Sequence, residues 1–83
     1  MKARYFASVR ERIGLAEEEI APPREVATIA DLIAWLSRRG ENYASAFTDG
    51  AKVRAALDQT HAGLDAPLGS AREVAFFPPM TGG

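Results

Sequence analysis

The stretch "TIADLIAWLSRRG", residues 28 to 40, decides the architecture. Ile29, Leu32, Ile33 and Leu36 recur at i, i+3, i+4 and i+7, which predicts a helix with a single buried stripe. Thr28 is placed to cap its start, and Asp31 at the third helical position makes a short capping box. Arg38 and Arg39 suit the negative end of the helix dipole, and Gly40 suits the left-handed residue after it. Trp35 falls just beside the stripe and is expected to be partly buried. A helix with one apolar face needs a layer to cover it.

The flanking segments supply that layer. Before the helix, "KARYFA" (2–7) alternates, with Ala3, Tyr5 and Ala7 on one face and Lys2, Arg4 and Phe6 on the other, and is expected to be a strand. "SVRERIG" (8–14) follows as a short helix capped by Ser8 and closed by Gly14. "LAEEEIAP" (15–22) is a second strand, and its three glutamates suit an exposed sheet edge. After the main helix, "ENYASAFTDG" (41–50) reads as an irregular or short helical turn. "KVRAALDQ" (52–59) is a strand, and "THAGLDAPLGSAR" (60–72) is mostly turn, with Leu64 and Leu68 plugging it onto the core. "EVAFFP" (73–78) is the last strand, stopped by Pro78-Pro79. The first and last strands are the bulkiest. Set side by side as a parallel central pair, with the helix inside the crossover, they make an α+β two-layer β-grasp: a mixed sheet with one main helix packed on one face.

At 83 residues the chain is a single domain of marginal stability, read as a β-grasp body over 1–79 and a flexible tail over 80–83. It has no cysteine, so it offers no thiol nucleophile, persulfide or thiolate metal site of its own. The formal net charge of −1 gives no basic field for nucleic acid. No apolar run is long enough to cross a membrane, and "MKARYFASVRERIG" lacks a signal peptide's apolar block. These features lead us to expect a cytoplasmic protein without nucleic-acid or membrane partners.

No catalytic constellation accompanies the fold. His61 is the single histidine, falls in predicted turn, and reads as surface decoration. Glu17-Glu18-Glu19 would be split between faces by strand geometry, so they read as a solvated edge rather than a cation site. There is no phosphate loop. What stands out is the end, "MTGG" (80–83), projecting beyond two prolines. Two glycines can thread a narrow channel, and the last presents a carboxylate uncrowded by a Cβ. Such a carboxylate becomes an acyl donor once activated as a mixed anhydride with AMP.

"EVAFFPPMTGG" (73–83) resembles the C-terminal signature of the small, sulfur-carrier subunit of molybdopterin synthase. "YFASVRERIG" (5–14), "LDQT" (57–60) and "APLGSAREVAFFPP" (66–79) are similar to other parts of that family, in order along most of the chain. The resemblance implies a ubiquitin-like β-grasp protein whose Gly83 carboxylate is adenylated by an E1-like adenylyltransferase using ATP and magnesium. Sulfur from a separate donor protein then converts it to a thiocarboxylate. Met80, Thr81 and Gly82 would insert with Gly83 into the large subunit and deliver sulfur to cyclic pyranopterin monophosphate. Two small subunits would flank two large ones, with the catalytic side chains on the large subunit and no cofactor or metal bound by this chain. Other readings are a carrier of the same fold for thiamine or tRNA thiolation, which usually lacks Phe-Phe-Pro-Pro, a ubiquitin-like modifier of lysines, and a plain interaction module with an idle tail. The family often has asparagine where this chain has Asp58; that reads as a surface difference.

The contact surface follows from strand alternation. Val74 and Phe76 share one face of the last strand, and Ala75 and Phe77 share the other. Tyr5 and Phe76 are expected to meet the helix stripe. Phe6 and Phe77 are then left on the outer face beside Pro78 and Pro79, as an apolar patch for the partner.

Overall fold

The computed structural model describes residues 1–48 and 52–79. Asp49-Gly50, at which the turn was expected to close, and Met80 to Gly83 lie outside the described residues. Five strands form one sheet in the order β2-β1-β5-β3-β4. They are β1 (Lys2–Tyr5), β2 (Glu17–Glu19), β3 (Arg54–Leu57), β4 (Thr60–Ala62) and β5 (Glu73–Phe77). Among the described residues three helices, α1 (Ala7–Ile13), α2 (Ile29–Ser37) and α3 (Glu41–Ala46), accompany the sheet. The first and last strands are the parallel pair at the centre, with Tyr5 beside Phe76, and the other pairings are antiparallel. This is the ubiquitin-like β-grasp that the sequence predicts.

The core lies between the sheet and the helices. Ile29, Leu32, Ile33 and Leu36 are all buried, and they meet Ala3, Tyr5, Val74 and Phe76 from the central strands. The ring of Phe76 stacks on Tyr5 at 6.2 Å and takes the edge of Phe47 at 5.2 Å. Trp35 is half-buried at the rim, under the Arg39 guanidinium. Leu68 is buried and Leu64 half-buried, so the long connection before β5 is plugged as expected.

The start of α2 is capped as read from its sequence. The Thr28 hydroxyl accepts from Asp31 N at 3.1 Å, and the Asp31 carboxylate accepts from Ala27 N and Thr28 N. These backbone donors hold the Asp31 carboxyl below its usual range. Thr28→Ala should lower stability by about 1 kcal/mol in a urea titration. The Asp31 contribution has a definite pH sense. A depressed folded pKa means full stabilisation above the unfolded value of about 4 and loss as pH falls through the folded value. The stability gap between wild type and Asp31→Ala should therefore be widest near neutral pH and close on acidification. A gap that is constant with pH would contradict the carboxylate's role.

Local expectations at element ends need four corrections. β1 stops at Tyr5 rather than Ala7, because the chain turns sharply into α1 with Ala7 at φ 51°. Ser8 does not cap α1; Phe6 occupies the cap position with no side-chain hydrogen bond, and Gly14 closes the helix in the left-handed region at φ 91°. Gly40 is not the left-handed stop of α2. The helix tightens at its end, with Arg38 N and Arg39 N donating to Trp35 O and Leu36 O, and Gly40 in extended conformation leads into α3. The stretch after β3, read as turn, contains β4, which forms a hairpin with β3 through Asp58-Gln59. Both turn residues have positive φ, 47° and 70°, as tight hairpins require. Neither is glycine, which is why the signal was weak.

Two acidic residues do more than decorate. Glu18 lies opposite Ala3 on the inner side of the sheet. One oxygen accepts from Tyr5 OH at 2.8 Å and from Tyr43 OH at 2.7 Å, and the other faces Arg39 at 3.3 Å. Burial, then the Glu18 carboxylate, push both tyrosine hydroxyls above their ordinary range. Glu18 thus ties the edge strand to β1 and α3, whereas Glu17 and Glu19 pair with Lys2 and the N-terminal amine. Asp58 is the second case. Its Oδ1 accepts from Arg72 N and Glu73 N, fixing the start of β5 to the hairpin. Only an acceptor oxygen is used, and an asparagine would supply one equally.

Candidate functional site

β5 carries the chain to the site. It is flanked on both sides, by β1 and β3, and its Val74 and Phe76 are fully buried. Its C-terminal end is therefore held by two ladders and the core at once. Pro78 and Pro79 follow directly, both half-buried against α1 and the start of β3. Proline has no N–H to donate and a fixed φ, so the ladder ends there and the chain leaves in a defined direction. Met80, Thr81, Gly82 and Gly83, the residues on which the sequence argument turns, lie outside the described residues.

The outer face of the sheet surrounds that exit. Alternation places Arg4, Ala75, Ala56 and His61 across it as one row of paired residues. Phe77, next along β5 on the same face, pairs with Arg54. Ala75 and Ala56 are buried although no helix covers them. Phe6 borders the same face: it is 40% exposed, and Arg4 stacks over its ring at 5.2 Å. Phe77 is half-buried, with the His61 ring set edge-on at 5.4 Å. Both phenylalanines thus take the outer face as expected, and each has its own neighbour, Arg4 for one and His61 for the other.

His61 is exposed, in line with its reading as surface decoration, but it lies on β4 rather than in turn, with its ring beside Phe77. Recognising the β3–β4 hairpin would have shown this, since His61 then alternates with Thr60 and Ala62. The surface is an apolar patch with a mixed-charge rim. Phe6, Phe77, Ala56 and Ala75 make its body, and Arg54 and Arg4, the latter 3.9 Å from the Glu73 carboxylate, make its border.

Among the described residues no group of three or more acidic or histidine side chains could hold a metal ion. Among the described residues no helix is long and apolar enough to cross a membrane. The only histidine in the chain lies against Phe77, with no hydrogen bond to a carboxylate among the described residues.

A β-grasp body whose last strand runs out through two prolines defines a ubiquitin-like type of domain. The chain belongs to the ThiS family, whose pattern matches residues 3–83. It is 40% identical over 83 residues to a molybdopterin synthase sulfur carrier subunit of Escherichia coli, covering 100% of this chain and 99% of that one. It is 35% identical over 79 residues to the protein of the same name in Haemophilus influenzae, covering 95% and 94%. Among solved structures, a Pyrococcus furiosus protein described as subunit 1 of a molybdopterin converting factor superposes with a TM-score of 0.72 at 31% identity, covering 95% of each chain. SAMP1 from Haloferax volcanii, at 21% identity and a TM-score of 0.71 over 100% and 98% of the two chains, shares the fold.

Proposed function

We propose that this chain is a sulfur carrier of molybdenum cofactor biosynthesis, the small subunit of a molybdopterin synthase. The observation that carries the reading is the end-to-end match, reaching Gly83, with relatives of that name. In this reading the Gly83 carboxylate attacks the α-phosphate of ATP, with magnesium, on an E1-like adenylyltransferase. Pyrophosphate leaves and an acyl adenylate forms. The outer sulfur of a persulfide on a separate donor protein displaces AMP to give an acyl disulfide, and a second thiol then attacks the donor's sulfur, which releases the terminus as a thiocarboxylate and leaves a disulfide behind. The donor must be separate because this chain has no cysteine.

The loaded tail, Met80 to Gly83, then enters the large subunit, where sulfur passes to cyclic pyranopterin monophosphate. The chain itself supplies the acyl group, its orientation and the docking surface; catalytic side chains belong to the large subunit, in an assembly of two small and two large chains. It binds no cofactor of its own, and the reaction belongs in the cytoplasm. The test is intact mass of the chain purified from its native host. One oxygen replaced by sulfur, confined to the C-terminal peptide, is the expected result. A carboxylate terminus that stays unmodified in the presence of the activating enzyme, ATP and sulfur donor would sink the reading.

The outer face is the docking surface that orients the tail. Phe77→Ala should weaken binding to the large subunit by about 1–3 kcal/mol, that is, by about fivefold to somewhat over a hundredfold. Its ring is only half-buried, so a thermal melt should change little. Unchanged affinity in a titration, or an unfolded variant, would overturn the assignment of this face.

A further inference from the structure

A second feature sits at the root of the tail, away from the aromatic patch. A cavity of about 160 Å³ opens between α1, the end of α3, the start of β3 and the exit of β5. Val9 and Val53 form its buried floor, and Pro78 and Pro79 form one wall. Arg12 and Lys52, both exposed, stand on its rim. Neither makes an ion pair among the described residues. Arg12 is nevertheless fixed in place, because its Nη1 donates to Ser45 O at 3.0 Å. The rest of its guanidinium fork is left for another acceptor.

We infer that this cavity is a socket for an acidic side chain of the large subunit, which grips the root of the tail while residues 80–83 are inserted. The inference rests on the carrier reading given above. The occupant follows from the two halves of the cavity. Its floor is apolar, which suits the methylenes of a glutamate and not a hydrated phosphate. Its rim carries a guanidinium and an ammonium, which suit one carboxylate. Its wall is Pro78-Pro79, so a protein that closes around the next residues must lie against it. A charge held partly out of water at this point sets the tail's direction of approach, and it raises the rate of encounter with an acidic surface.

The test is the double variant Arg12→Glu/Lys52→Glu, titrated against the purified large subunit at several salt concentrations. Weakening by tenfold or more, with the salt dependence of wild-type binding lost, is the expected result. Lys52→Glu alone leaves the Arg12–Ser45 bond intact and should still weaken binding severalfold, so a folding defect in the double variant does not shelter the proposal. Wild-type binding with variants that match it in affinity and salt dependence overturns the socket and leaves the carrier reading standing. Wild-type chain that fails to bind the large subunit overturns both. Inorganic phosphate is the second probe. A saturable response of Arg12 and Lys52 resonances to low-millimolar phosphate in the free chain makes the cavity a phosphate site and overturns the inference.

Discussion

Deleting Gly83 should abolish sulfur transfer while leaving the melting curve of the domain unchanged. The proposed chemistry would need an acyl carbon at a fixed place in two partner sites. Removing one residue withdraws the terminal carboxylate by about 3.5 Å along an extended chain. Reacting groups misplaced by about 1 Å already lose about a hundredfold in rate, so the deleted chain falls below detection. Adding one residue beyond Gly83 should have the same effect, since it replaces the carboxylate by an amide and puts a new terminus where the channel ends. The fold is indifferent to either change, because the core runs from Ala3 to Phe76 and both ladders of β5 are complete by Phe77. A reconstituted synthase assay decides the matter: a deletion variant that still makes molybdopterin would remove the basis of the proposed function.

The largest effect on stability is expected at Phe76→Ala. Phe76 has no exposed surface, stacks on Tyr5 and receives the edge of Phe47. Truncating a buried phenylalanine costs about 3–5 kcal/mol, the lost transfer energy plus the cavity left behind. A domain of this size has roughly 4–12 kcal/mol in total. The substitution should therefore remove from roughly a quarter of that stability to all of it, read as a large fall of the urea midpoint. Its neighbour Phe77, on the other side of the same strand, should show the opposite pattern of intact stability and weakened binding. A Phe76→Ala chain within about 1 kcal/mol of wild type would mean that the two faces of β5 have been exchanged.

The adjacent phenylalanines also show how far the sequence reaches. The helix stripe of Ile29, Leu32, Ile33 and Leu36, the Thr28–Asp31 cap and the alternation of β5 are local patterns. Each can be read within a few residues, because helix and strand periods dictate which side chains share a face. The pairing of the first and last strands was also legible, since both are bulky and the chain between them is long enough for a crossover.

What the sequence left open was decided by contacts between residues far apart in it. Glu18 looked like one glutamate of three until Tyr5 and Tyr43 were brought to the same carboxylate oxygen. Asp58 looked like surface until the hairpin set its side chain against the backbone of Arg72 and Glu73. His61 looked like turn until β4 carried it to Phe77. The cavity under Arg12 and Lys52 is bounded by four separate segments, so no stretch of sequence contains it. Local propensity chooses elements and faces. Where two faces meet, and which polar groups must then satisfy one another out of water, is settled only when the sheet closes over the helices.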